Sequence, residues 1–295
     1  MITYFTTTKD FKGLADTAQE NAIRSWLCSV DGAEVIIFGE SLGLDRFQGQ
    51  EGIILHPEIK TSQEGTPRID DMFLKAQSFG SHSICCFINA DIILTKDFPR
   101  SILSINEKTR AKYLIVGQRD DIQLNHLIDF ELDWELSLKQ LVEESGRRHL
   151  PTGSDFFAFP RGQYKPGDIP PLLVGRGGWD LWMIYYGRKQ QFKVIDLSPT
   201  VTVIHQDHDY THRKEIFLSY LQDAEAQKNL QHIPSGETFI YTLHACNYHF
   251  RNNELQRNYA RGNLRKFLTY ELNLRRDRFV FKKIRNLAKK IHLIK

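Results

Sequence analysis

Cysteine is scarce: Cys28, Cys85, Cys86 and Cys246 are the only four in 295 residues, and no two form a CxxC pair. That argues against a thiolate zinc site or a disulfide framework. Cys85 and Cys86 lie inside an apolar run and read as small buried hydrophobes. No apolar run approaches the roughly 20 residues that a membrane-spanning helix needs. The opening residues MITYFTTTKD lack the basic stretch and apolar core of a secretory signal, so a cytoplasmic location is expected. Linkers rich in Gly/Ser or Pro, internal repeats and low-complexity tracts are also missing. These absences favour one α/β unit over two joined domains.

Hydrophobic residues make up 41% of the chain and charged residues 25%, an ordinary globular balance that can build a large core. The charge is uneven. Residues 251–295 carry fourteen Lys and Arg against three Asp and Glu, a local +11, which leaves −8 on residues 1–250 of a chain of net +3. Val280, Ile284, Leu287 and Ile291 recur on one helical face of this tail, with Arg276, Lys282, Lys283, Arg285, Lys289 and Lys290 around them. A basic amphipathic helix of this kind suits an anionic membrane surface. A basic tail behind an acidic body, with no recognised nucleic-acid module, argues against a nucleic-acid partner.

Apolar runs set the frame. Ile2–Phe5, Glu34–Phe38, Ile53–Leu55, Ser83–Ile88 and Tyr113–Gly117 read as buried strands, and between several of them apolar residues recur at helical spacing. Strands apolar on both sides imply a mostly parallel central sheet flanked by helices. In such sheets ligands bind beyond the carboxyl ends of the strands. Thr6, Thr7 and Thr8, Glu40, Asn89-Ala90-Asp91 and Arg119 stand at those places. Arg119 is read as half of a surface ion pair with Asp120 or Asp121.

Three segments carry candidate chemistry. In SICCFINADIIL an apolar strand ends in a polar-x-acid step, which suits a hard divalent cation such as Mg²⁺ or Mn²⁺ on Asp91, with Asn89 beside it. In GRGGWDLWMIY, Asp180 falls in the first turn of a helix, where its ionised form is favoured, and Trp179 offers a flat face to a sugar ring. In LPTGSDFFAF, Asp155 precedes a strand and is placed to meet acceptor hydroxyls or orient a base. His205 is the first polar residue after the run Val201–Ile204 and ranks above His208 and His212 as a ligand.

Taken in order, ITYFTTT, EVIIFGE, INADIIL, LPTGSDFFAFPRG, GRGGWDLWMIY and VIHQDHDY resemble the GT-A glycosyltransferases of the nucleotide-diphospho-sugar transferase superfamily, and within it bacterial proteins similar to the family 2 transferases. The resemblance covers residues 1–215 as a catalytic domain and leaves 216–295 as a basic helical C-terminal extension. It implies hexosyl transfer, of a kind used in polysaccharide biosynthesis. The donor is a nucleoside-diphosphate sugar, and the acceptor a carbohydrate or lipid-linked hydroxyl. It further implies that Thr6–Thr8 and Glu40 hold the nucleoside, that Asp91 and His205 serve the metal or diphosphate, and that Asp180 is the base of an inverting reaction. Asn89 stands where the family has the first Asp of DxD. A non-catalytic nucleotide-sugar or membrane-binding protein of the same fold is the alternative. A sugar-phosphate nucleotidyltransferase is disfavoured because TTTKDFKG has only one late glycine.

Overall fold

The computed structural model describes residues 1–131, 133–207, 223–233 and 241–258, with isolated positions between 271 and 290. The first half alternates as the apolar runs predict: β1 (Ile2–Thr7), α1 (Leu14–Ser29), β2 (Glu34–Phe38), β3 (Ile53–His56), α2 (Ile69–Phe79) and β4 (Ile84–Ile88). Then come β5 (Ile92–Leu94), α3 (Asp97–Lys108), β6 (Tyr113–Val116), β7 (Asp120–Ile122), α4 (Trp134–Ser145), β8 (Arg147–Arg148) and β9 (Phe156–Pro160). The remaining elements are α5 (Trp179–Lys189), β10 (Lys193–Asp196), β11 (Val203–Gln206), α6 (Ala224–Leu230), β12 (Tyr248–Arg251) and β13 (Glu254–Arg257).

Nine strands form the main sheet in the order β13-β12-β10-β6-β9-β4-β1-β2-β3. It is a mixed sheet rather than a simply parallel one. β9 lies antiparallel between β4 and β6, and β13 returns antiparallel along β12. Alternate side chains of the strands feed two cores. Phe5, Phe38, Phe87, Phe157 and Phe159 meet Met72 and Phe73 of α2 and Met183 of α5 on one face. Tyr4, Ile37, Cys86, Ile88 and Phe156 meet Trp26 of α1 and Phe98 of α3 on the other. Burial on both faces explains why these strands carry almost no polar residues.

A second sheet, ordered β5-β11-β7-β8, sits past the end of β4. The turn at Asn89–Asp91 hands the chain from one sheet to the other, closed by the Ile92 amide on the Asn89 carbonyl at 3.1 Å. α1 braces this sheet with its Asn21 amide on Gln206 (2.9 Å) and its Trp26 indole N–H on the Ile92 carbonyl (2.7 Å).

The segment after residue 215 is not wholly helical. β12 and β13 make a hairpin that joins the main sheet through β10. Its turn residues Asn252 and Asn253 adopt φ of 50° and 58°, the left-handed pair that tight hairpin turns favour and asparagine tolerates. The amphipathic tail falls mostly outside the described residues, as do His208 and His212. No helix among the described residues is long and apolar enough to cross a membrane.

Candidate active site

The antiparallel insertion of β9 builds the centre of the site. Because β9 starts where β4 ends, Ile88 pairs with Phe156 and the Asn89 amide donates to the Asp155 carbonyl at 2.9 Å. The Asn89 side-chain amide also donates to Asp155 Oδ1, at 2.7 Å. Arg119 Nη1 reaches the same oxygen at 2.6 Å, and its Nε reaches Asp121 Oδ1 at 2.9 Å. Arg119 is therefore not the surface residue expected. Its side chain is only 17% exposed and joins two buried carboxylates. They hold its guanidinium more firmly charged than usual, outweighing the opposing effect of burial.

The register of the second sheet supplies the rest. His205 of β11 lies opposite Ile92 on one side and Asp121 on the other. Its Nδ1 lies 3.1 Å from Asp121 Oδ1 and its Nε2 lies 3.4 Å from Asp91 Oδ2. Burial opposes charge on this ring, but hydrogen bonding to Asp121 and Asp91 prevails and raises its pKa to about 9. The Asp121 carboxyl is held well below the ordinary carboxylate range; burial works the other way, and His149, His205 and Arg119 overcome it. Cross-strand pairing also brings Arg147 Nη2 to Asp121 Oδ2 at 3.1 Å, and Arg148 to Asp120.

Asp180 stands in the first turn of α5, as its spacing from the glycine run predicts. Burial raises its pKa to about 6, reinforced by the neighbouring Asp155 charge. The backbone N–H groups of Leu181, Asp180 and Ser154 favour the ionised form and limit the rise. Gly178, with φ of 97°, starts this helix where a side chain would strike Leu230 of α6 at 2.6 Å. α6 clamps the preceding loop: Glu225 accepts hydrogen bonds from Ser62, Thr66 and Arg176, and Asn229 pairs with both the amide and the carbonyl of Leu173. These hydrogen bonds hold the Glu225 carboxyl down at about 2 even though its burial opposes ionisation.

Two expected ligand-facing residues are placed elsewhere. Trp179 is buried against Phe87 and Phe157, with ring centroids at 5.0 and 4.8 Å, so its face belongs to the core and not to a sugar. Thr6 is fully buried within β1, because the parallel ladder to β2 continues through Thr6↔Ile37 and Thr7↔Phe38. Its β-branched side chain suits that continuation. Thr7 and Thr8 are half-buried at the strand end and Glu40 is exposed, with Thr8 Oγ1 at 2.7 Å from Ser41 Oγ.

Among the described residues no cluster of three or more His, Cys, Asp or Glu could hold a metal ion by itself. Asp91 and His205 nonetheless fit a cation that takes its other ligands from phosphate oxygens and water, the usual habit of Mg²⁺. Asp121 fixes the far nitrogen of the imidazole, the common support for a metal-bound histidine. Ligation requires the Nε2 proton to leave.

The Arg119–Asp121 pair was expected at the surface and is instead buried, and His149 was not singled out. Each acts through a partner distant in the chain, and only the charge-rich run Arg119-Asp120-Asp121 at a strand end hinted at them.

No protein-family model and no curated protein matches the chain. Solved structures similar to it include S. aureus TarS in complex with UDP-GlcNAc, at 10% identity and a TM-score of 0.48, covering 93% of this chain and 80% of that one. GalNAc-T7 with UDP, GalNAc and Mn²⁺ is similar at 10% identity and TM-score 0.46, over 78% of this chain and 47% of its own. A mycobacterial protein is similar at 15% identity and TM-score 0.46, over 83% and 74%. These likenesses are remote, and the fold rests on the strand order above.

Proposed function

We propose that the protein is an inverting glycosyltransferase that moves a hexosyl group from a nucleoside-diphosphate sugar to the hydroxyl of a carbohydrate or lipid-linked acceptor. The observation that carries this reading is a linked set at the carboxyl edge of β4: His205 lies between Asp91 and Asp121, Arg119 joins Asp121 to Asp155, and the Asp155 charge acts on Asp180. The motif resemblance supports it. Asp180 takes the acceptor proton: with a pKa of about 6 it is ionised at neutral pH yet more basic than an ordinary carboxylate. Burial keeps Asp180 basic, and the charge of Asp155, fixed by Asn89 and Arg119, adds to it. Thr7, Thr8 and Glu40 line the donor edge and receive the nucleoside. Asp91 and His205 would hold Mg²⁺ or Mn²⁺, which, when bound, offsets the charge growing on the departing diphosphate.

One observation favours the rival, a non-catalytic nucleotide-sugar binder. The Asn89 side chain, which donates to Asp155 at 2.7 Å, is uncharged where the first Asp of DxD would add a second carboxylate for the cation. The deciding experiment incubates UDP-, GDP- and dTDP-sugars with Mn²⁺ and the wild-type or Asp91→Ala protein, and follows nucleotide release. One donor is hydrolysed in a metal-dependent way, and Asp91→Ala lowers that rate at least tenfold. No binding by the wild type, or an unaffected variant, overturns the reading. Binding without turnover selects the rival.

The basic tail is proposed to bring the enzyme to an anionic membrane face. Ile284 and Leu287, on its apolar side, are 46% and 61% exposed, which leaves them open to a lipid surface.

A further inference from the structure

Gly153 has no conformational reason to be glycine. It is not among the residues with positive φ. A methyl group added to it would make only ordinary contacts, the nearest being Asp180 Oδ2 at 3.5 Å and His149 Nε2 at 4.0 Å. The missing side chain leaves a small gap whose nearest groups are the Asp180 carboxylate and the His149 imidazole. The two groups come from different elements: the first turn of α5, and the residue that follows β8.

His149 is held firmly for a loop residue. Its amide donates to the Arg119 carbonyl at 2.9 Å, and its carbonyl accepts from Gln118 Nε2 at 2.6 Å. Its Nδ1 faces Asp121 Oδ2 at 3.6 Å, which turns Nε2 toward Gly153. The ring remains one-third exposed, within reach of a ligand. A carboxylate oriented by backbone N–H groups and an imidazole oriented by a carboxylate thus both border the position that a side chain at 153 would occupy.

We propose that His149 binds the acceptor and that the gap over Gly153 takes a vicinal diol, one hydroxyl on Asp180 and its neighbour on His149. The inference rests on the transferase reading and narrows it: the acceptor is a sugar or polyol, not a lone alcohol. A hydroxyl both donates and accepts, so it pairs with an imidazole nitrogen in either protonation state, while the ionised carboxylate accepts from the hydroxyl that attacks. A mono-alcohol satisfies one side of the gap and leaves the other to water.

The test uses the full chain with ¹⁵N-labelled histidine. cis-1,2-Cyclohexanediol and cyclohexanol are titrated separately, with and without the nucleotide chosen by the donor screen. The diol shifts the His149 ring nitrogens, and cyclohexanol does so at least tenfold more weakly. Gly153→Ala, whose fold is checked by thermal melting, raises the diol Kd at least tenfold by filling the gap. His149→Gln gives a loss of the same order, read by the diol's own line broadening. Equal response to diol and mono-alcohol, an unmoved ring, or unchanged diol binding by Gly153→Ala overturns the assignment. Nucleotide-sugar binding on the same samples separates the two readings. Donor binding without diol selectivity removes only the role of His149, whereas diol selectivity without donor binding removes the transferase.

Discussion

Asp180 sits between opposing influences: burial and the Asp155 charge raise its pKa to about 6, while three backbone N–H groups pull it back. As a base it works only when ionised, so kcat/KM is expected to rise with pH through about 6. Asp180→Asn removes that limb and lowers kcat by about 10²–10⁴-fold, the usual worth of a positioned base; a pH–rate profile of both proteins checks this. Linkage gives a stability counterpart. A carboxyl with a raised folded pKa costs stability once it ionises, so the cost appears as pH climbs from the ordinary aspartate value of 3.8 past about 6. At pH 7 the Asn variant is expected to be more stable by about 2 kcal/mol, allowing for partial exposure, and equally stable below pH 3.5. Denaturant unfolding at both pH values measures the difference. The places of Asp91, Asp155 and His205 at strand ends, and of Asp180 in a first helical turn, were legible in the sequence because each follows or precedes a strongly apolar run. Trp179 misled because an aromatic beside a polar cluster looks alike whether it faces a ligand or the core. Its ring contacts with Phe87 and Phe157 depend on strands some ninety and some twenty residues away.

Among the elements, α6 is short, yet it ties the loop at Ser62–Thr66 to the loop that leads into Asp180. Glu225 is nearly inaccessible, whereas its partner Arg176 is 39% exposed. Glu225→Ala strands one buried partner set and is expected to cost about 2 kcal/mol, below the range for fully buried pairs. The Glu225 carboxyl is held down at about 2, so its contribution is complete above the ordinary glutamate value of 4.5 and is lost as pH falls toward 2. Melting of wild type and variant across that window tests both claims, with the two curves converging at low pH. The β12–β13 hairpin offers a second test. Asn252→Val places a β-branched residue at positive φ and is expected to cost about 1–2 kcal/mol, while Asn253→Gly is neutral or slightly stabilising. Equal melting temperatures for the two variants would refute the turn assignment. The parallel strands were readable as apolar runs bounded by glycine or acid. The direction of β9 was not, since direction depends on which neighbours flank a strand. Nor was β7, whose sequence Asp120-Asp121-Ile122 resembles a loop until Arg147 and Arg148 pair with it.

At the scale of the molecule, charge is divided between an acidic body and a basic carboxyl-terminal segment. Each basic side chain near an anionic surface contributes about 1 kcal/mol, enough collectively for peripheral attachment without a spanning helix. Removal of residues 275–295 is expected to abolish flotation with phosphatidylserine vesicles and to leave that with neutral vesicles unchanged; equal flotation of both proteins ends the proposal. The charge division is plain in the sequence. The joining of the hairpin to the sheet is not, because β12 reaches β10 across more than fifty residues of intervening chain.

The reversed strand at the heart of the sheet also governs how the molecule is born. During synthesis β1 to β4 emerge first and can pair with one another, but the open side of β4 must await Phe156–Pro160. Until those residues leave the ribosome, an apolar edge stands bare and ready to recruit other nascent chains. Polypeptides halted before residue 156 should therefore clump, whereas those extending past residue 160 should remain dispersed.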